Sequence, residues 1–131
     1  MTKYLLDTNV LIAMFRGQYG IRECILEAGF ENCFVSEITL GEIITGAYKG
    51  DIAKHQHEIN FLKEQFTILP VSPAIEYYGK LRSSLEKQGT PVDSLDLLIA
   101  ATALESNLTL VTHNTKHFQR IPGLKVVDWE A

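Results

Sequence analysis

Apolar residues along this chain fall into two patterns. Short unbroken runs at Tyr4-Leu5-Leu6, Cys33-Phe34-Val35, Phe66 to Leu69 and Leu108 to Val111 read as strands buried on both faces. The first run extends back to Lys3, and Lys125 to Val127 adds a further strand. Between them, apolar positions return about once per helical turn. That spacing predicts helices over Val10–Arg16, closed by Gly17, and over Ile21–Ala28, where Ile21, Ile25 and Ala28 share a face before Gly29. Ser36 suits the cap of a helix running to Ala47. Ile52–Gln65 is a polar helix with a thin stripe of Ile52, Ile59 and Leu62. Pro73 opens a long helix to about Lys87, and Ser94 caps one from Leu95 to Glu105, stopped at Asn107.

Strands that alternate with helices predict an α/β domain. The expected architecture is a three-layer α/β/α sandwich around a mainly parallel central sheet, with residues 1–131 as a single domain. Ligands of such sheets bind beyond the carboxyl ends of the strands. Asp7 falls there because it follows the first strand. Thr112, His113 and Asn114 fall there because they follow the Leu108–Val111 strand.

Composition narrows the class only a little. An apolar fraction of 46% in 131 residues supports a real core, not a disordered chain. A net charge of −4 argues against a passive nucleic-acid-binding module, but leaves room for an enzyme with its acids in a cleft. The short apolar run at the N-terminus is broken by Asp7, so neither a signal peptide nor a membrane span is expected, and the cytoplasm is the default. Cys24 and Cys33 lack zinc-site spacing and read as free thiols.

Three carboxylates change the picture. Asp7, Glu42 and Asp96 each interrupt a stretch of apolar residues. A lone buried carboxylate is very costly, so such groups are paired, protonated or metal-bound. Two carboxylates about 4 Å apart repel by roughly 4 kcal/mol at an effective dielectric near 20, so a cluster needs a cation. An oxygen-rich donor set favours Mg2+, with Mn2+ as the variant, over Zn2+. Such a site polarises phosphoryl oxygens and lowers the pKa of a bound water, which suits phosphodiester hydrolysis. Each acid also has a plainer reading: Asp7 as a helix cap, Glu42 as a solvated helix residue, Asp96 as a first-turn acid. Their coincidence favours the metal reading.

At this point the residues resemble a known family. YLLDTNVLIAMFRG at Tyr4 to Gly17 looks like the opening of a PIN-domain nuclease. SEITLGEIITGAYKG at Ser36 to Gly50 and GTPVDSLDLLIAATAL at Gly89 to Leu104 resemble the segments with that family's second and third acids. LVTHNTKHFQRIPGLKVVDW at Leu110 to Trp129 resembles the closing part of VapC-type toxins. The resemblance implies a PIN-like fold and the toxin component of a toxin–antitoxin system. It also implies a Mg2+- or Mn2+-dependent endoribonuclease acting on RNA such as tRNA, a cognate antitoxin as inhibitor, and a homodimer. Asp7, Glu42 and Asp96 match the family's metal-binding acids. Many members carry a fourth acid where this chain has Asn114 or His117. That departure implies one metal held tightly and a second recruited with RNA.

Auxiliary roles follow with lower specificity. Asn9, Thr112 and Asn114 are candidates to orient a carboxylate, a water or the scissile phosphate, and Asp93 is a candidate extra metal contact or a helix cap. His113 and His117 read as surface or RNA-contact residues, and His55 and His57 as solvated. Lys116, Arg120 and Lys125 are candidate grips on RNA phosphates. Phe61, Leu62, Tyr77, Tyr78 and Leu81 read as core, with part of the set available as a dimer face. Two alternatives stay open on the residues alone. One is a small metal-dependent phosphatase, against which Asn9 counts because such enzymes usually have Asp there. The other is a catalytically silent interaction module.

Overall fold

The computed structural model of the chain describes residues 1–130. The strands are β1 (Tyr4–Leu6), β2 (Cys33–Ser36), β3 (Thr67–Leu69), β4 (Thr109–Val111) and β5 (Val126–Val127). The helices are α1 (Thr8–Phe15), α2 (Ile21–Ala28), α3 (Glu37–Lys49), α4 (Ile52–Gln65), α5 (Ile75–Lys87), α6 (Ser94–Glu105) and α7 (Thr115–Phe118). The strands pair in the order β3-β2-β1-β4-β5, and every neighbouring pair is parallel. The expected parallel sheet is therefore present, with β1 at its centre.

The three layers follow from side-chain alternation within each strand. Leu6, Val35 and Val111 pack on one face with α1, α2 and Leu62 of α4. Leu5, Phe34 and Leu110 pack on the other face with Leu85 of α5 and Leu97, Ile99, Ala100 and Ala103 of α6. Successive residues of a strand point to opposite faces, so each run had to be apolar throughout. Phe61, on the α4 side, packs with Phe15, Phe30 and Phe66 at centroid distances of 6.1, 6.3 and 6.2 Å.

Helix starts are earlier than expected in two places, and in both the reason is a cap. Asp7 takes the N-cap of α1, with its Oδ1 accepting from Thr8 N at 2.8 Å, so α1 opens at Thr8. Asp93, not Ser94, caps α6: its Oδ2 accepts from Leu95 N at 3.1 Å and Asp96 N at 3.4 Å. Pro73 sits in a 3-10 turn at Ser72–Ala74, and α5 starts only at Ile75. A second 3-10 turn at Phe30–Asn32 and the short helix α7 carry too few residues for a periodic signal. Tyr77 stands 44% exposed, against its reading as core.

Candidate active site

All five strands run in the same direction, so their carboxyl ends share one edge of the sheet. Asp7 lies there because β1 ends at Leu6. Its backbone N–H donates to Val111 O at 3.0 Å, which ties it to the end of β4. The residue is buried, keeping 6% of its accessible surface. Thr112, fully buried, donates its hydroxyl to Asp7 Oδ2 at 2.8 Å and accepts at the same oxygen from Asn114 N at 3.0 Å. One carboxylate oxygen thus serves the helix cap and the other faces a strand-end hydroxyl.

Glu42 reaches the same region from the second turn of α3. Thr8 Oγ1 lies 2.7 Å from Glu42 Oε1 and 3.2 Å from Thr39 Oγ1. With one proton to give, Thr8 donates to the carboxylate and accepts from Thr39. Asp96 arrives from the first turn of α6, where the N-terminal end of the helix favours an acid. His117 of α7 completes the group, with Nε2 3.2 Å from Asp96 Oδ2.

The acids act on one another through their charges. Burial raises the pKa of Asp7, offset in part by the Thr112 hydroxyl, the Thr8 N–H and the charge of His117. Asp96 is also raised, first by burial, then by the negative charge of Asp7 and less strongly by Asp93 and Glu42; His117 opposes the shift. Carboxylates that raise one another in partial burial are under strain when all are ionised, and a bound cation relieves it. The donor set of Asp7, Asp96 and Glu42 is chemically suited to a divalent metal held through hard oxygens. The three acids do not each offer an oxygen within 4.8 Å of the other two. The described residues that meet that spacing are His113, Asp128 and Glu130, at the rim. There His113 Nδ1 lies 3.2 Å from Asp128 Oδ2 and 3.3 Å from Glu130 Oε2, fastening the segment after β5 to the end of β4.

The auxiliary candidates separate. Thr112 contacts Asp7 directly. Asp93 serves as the α6 cap and acts on Asp96 through its charge. Asn9 and Asn114 are exposed and line a shallow depression with His113, Asp128 and Glu130, so their side chains are not placed on the acids. Asn114 contributes through its backbone N–H instead. Lys116 and Arg120 stand on the site side with α7, both exposed. Lys125 does not, because it precedes β5 and lies beside Lys3 and Thr109 at the opposite edge of the sheet. His117 was expected at the surface, yet its side chain is only 23% exposed and faces Asp96. The available signal was its position just before Phe118, one of the two at which many members of the resembling family carry an acid. Thr39 gave no signal. His55 is not simply solvated, since its Nδ1 pairs with Glu58 Oε1 at 2.6 Å.

Thr112→Val tests this geometry. Removing the hydroxyl at constant shape leaves Asp7 Oδ2 without its donor, and the expected loss is about 1–3 kcal/mol. The sign with pH is fixed by the raised pKa of Asp7. A carboxyl whose pKa is higher in the folded state stabilises below its unfolded value of 3.8, and that contribution is lost as pH rises through the folded value. Thr112→Val raises the folded value further, so its destabilisation is larger at pH 7 than at pH 4. Paired thermal melts of the two proteins at both pH values check this, and a pH-independent difference would count against it.

Comparison with known proteins fits this arrangement. A family model described as the PIN domain matches residues 4–124. Ribonuclease VapC1 of Haemophilus influenzae (strain R2866) is 36% identical over 130 residues, covering 96% of this chain and 97% of that one. The tRNA(fMet)-specific endonuclease VapC of Shigella flexneri is 32% identical over 132 residues, covering 98% and 99%. In the crystal structure of VapBC2 from Rickettsia felis bound to a DNA fragment from their promoter, the matching chain is 31% identical. It superposes with a TM-score of 0.89 over 98% of this chain and 99% of that one. The chain belongs to the PIN-domain family, and its full-length relatives within that family are VapC ribonucleases.

Proposed function

We propose that this protein is the toxin component of a toxin–antitoxin pair, an endoribonuclease that hydrolyses phosphodiesters in RNA and is held inactive by a cognate antitoxin. The observation that carries the reading is the convergence of Asp7, Glu42 and Asp96 on the strand ends of a PIN fold, with Thr8 and Thr112 orienting two of them. Asp7 and Asp96 are the proposed principal metal ligands and Glu42 the third acid. A Mg2+ ion, or Mn2+ in its place, supplies Lewis acidity toward the phosphoryl oxygens and an ionised water at neutral pH.

The chain's own residues do the rest. Thr112 holds the carboxylate of Asp7, and Thr8 holds that of Glu42, so each would be oriented before an ion is bound. Lys116 and Arg120 stand where the RNA backbone would approach and neutralise its phosphates. The proposed substrate is RNA with unpaired bases, tRNA included, since loops offer base edges that a duplex hides. The solved neighbour that pairs a VapC chain with VapB supports an antitoxin partner. Self-association is proposed through α5, whose Ile75 and Tyr77 are exposed. The described residues contain no helix long and apolar enough to cross a membrane, and a cytoplasmic location is part of the proposal. The phosphatase and silent-module alternatives gain nothing from relatives that are ribonucleases along their full length.

Incubating the purified protein with total tRNA tests the activity. Cleavage is expected with Mg2+ or Mn2+, stops with EDTA, and returns when metal is restored. Cleavage that persists through chelation would overturn the metal-dependent mechanism. Hydrolysis of phosphomonoesters without any cut RNA would return the phosphatase reading.

A further inference from the structure

His117 Nε2 is buried and has no hydrogen-bond partner, alone in this among side-chain nitrogens and oxygens of the described residues. Asp96 Oδ2 is 3.2 Å away, yet the two are not aligned for a hydrogen bond. A buried polar atom left in this way costs about 1–3 kcal/mol, so its persistence points to a partner that the protein itself does not provide. The nitrogen and the oxygen are near enough for both to turn toward one shared ion.

We propose that His117 joins Asp96 as a nitrogen ligand of the site's metal, and that it shifts the site's preference from Mg2+ toward Mn2+. This rests on the metal-dependent reading above. Ligation by His117 would add a neutral, borderline nitrogen to the hard anionic oxygens of the acids. Mg2+ gains little from imidazole, whereas affinity for nitrogen rises along the first-row series that begins at Mn2+. Core packing holds the ring in place. Its neighbour Phe118 is 1% exposed and anchors α7 in the core, and the two rings meet edge to face at 5.4 Å.

The remaining contact of the ring sets the proton balance. Arg120 Nη2 lies 3.3 Å from His117 Nδ1. Ligation through Nε2 would need that nitrogen free of a proton, with the ring proton on Nδ1, and the exposed Arg120 side chain would turn away.

The test reads binding, not cleavage. Metal-stripped wild type, His117→Ala, His117→Glu and Asp96→Asn are each titrated calorimetrically with Mn2+ and with Mg2+. Pulsed EPR of the Mn2+-loaded proteins looks for nitrogen hyperfine coupling. Expected results are nitrogen coupling in wild type that vanishes in His117→Ala, and a loss of Mn2+ affinity of about tenfold or more with little change for Mg2+. His117→Glu is expected to move the preference back toward Mg2+. Mn2+ bound by wild type without nitrogen coupling would overturn the proposal, as would equal losses for both metals in His117→Ala. If His117→Ala fails to fold, the wild-type spectrum and His117→Glu still decide. Asp96→Asn separates the two levels. If Asp96→Asn loses metal while wild type lacks nitrogen coupling, only the role of His117 fails. If Asp96→Asn binds metal as wild type does, the metal site itself is wrong.

Discussion

Asp96→Asn is expected to lower RNA cleavage by roughly 10²–10³-fold or more while leaving the metal-free protein as stable as wild type or more so. The two halves of that expectation have one cause. Asp96 is raised by its own burial and by the charge of Asp7, so its ionised form is a cost to the metal-free fold and an asset only when a cation is present. Asparagine keeps the shape and removes the charge. Saturating the wild type with metal at ten times its dissociation constant adds about 1.4 kcal/mol of stability, and the variant should gain almost none of it. Thermal melts with and without Mg2+ or Mn2+, alongside a cleavage assay, check both halves. A variant that melts well below wild type without metal would show Asp96 to be a structural acid.

Phe118→Ala has the largest expected effect on stability. The side chain is almost fully buried between α6, β4 and the turn at Ile121, within the core cluster on the α5–α6 face. Truncating a buried Phe costs about 3–5 kcal/mol, a large share of what a domain of this size has. Chemical denaturation should show the midpoint falling with the slope unchanged. Because α7 has only four residues and no side-chain cap, this one ring holds the helix, and with it His117, against the sheet edge. A loss under about 1 kcal/mol would mean that α7 is held by other contacts.

Much of this was legible in the sequence for definite physical reasons. Leu5 and Leu6 had to be apolar together because a central parallel strand is covered on both faces, and such a run identifies β1 without periodicity. Asp7, Glu42 and Asp96 stood out because each breaks an apolar context. Other parts were hidden. Asp93 and Ser94 are both good caps, and only backbone geometry chooses between them. Lys125 carries the same charge as Lys116, but the direction of β5 puts it at the opposite edge of the sheet. His117 was misplaced because a four-residue helix leaves no periodic trace, so the direction of its side chain could not be inferred. Thr39 reaches Thr8 across 31 positions of sequence, a separation that no local pattern encodes.

The bond from Thr112 to Asp7 joins groups 105 residues apart in the chain. Parallel pairing of β1 with β4 closes a long loop before any contact rewards it, which makes that pairing slow. During synthesis, the amino-terminal layers have their partners early, but Asp7 has no oriented carboxylate until Thr112 has been added and docked. The oriented carboxylate is therefore a property of a chain extended at least through Thr112. A ribosome making this protein must carry synthesis past Thr112 before the acid that follows the first strand is held in its final orientation.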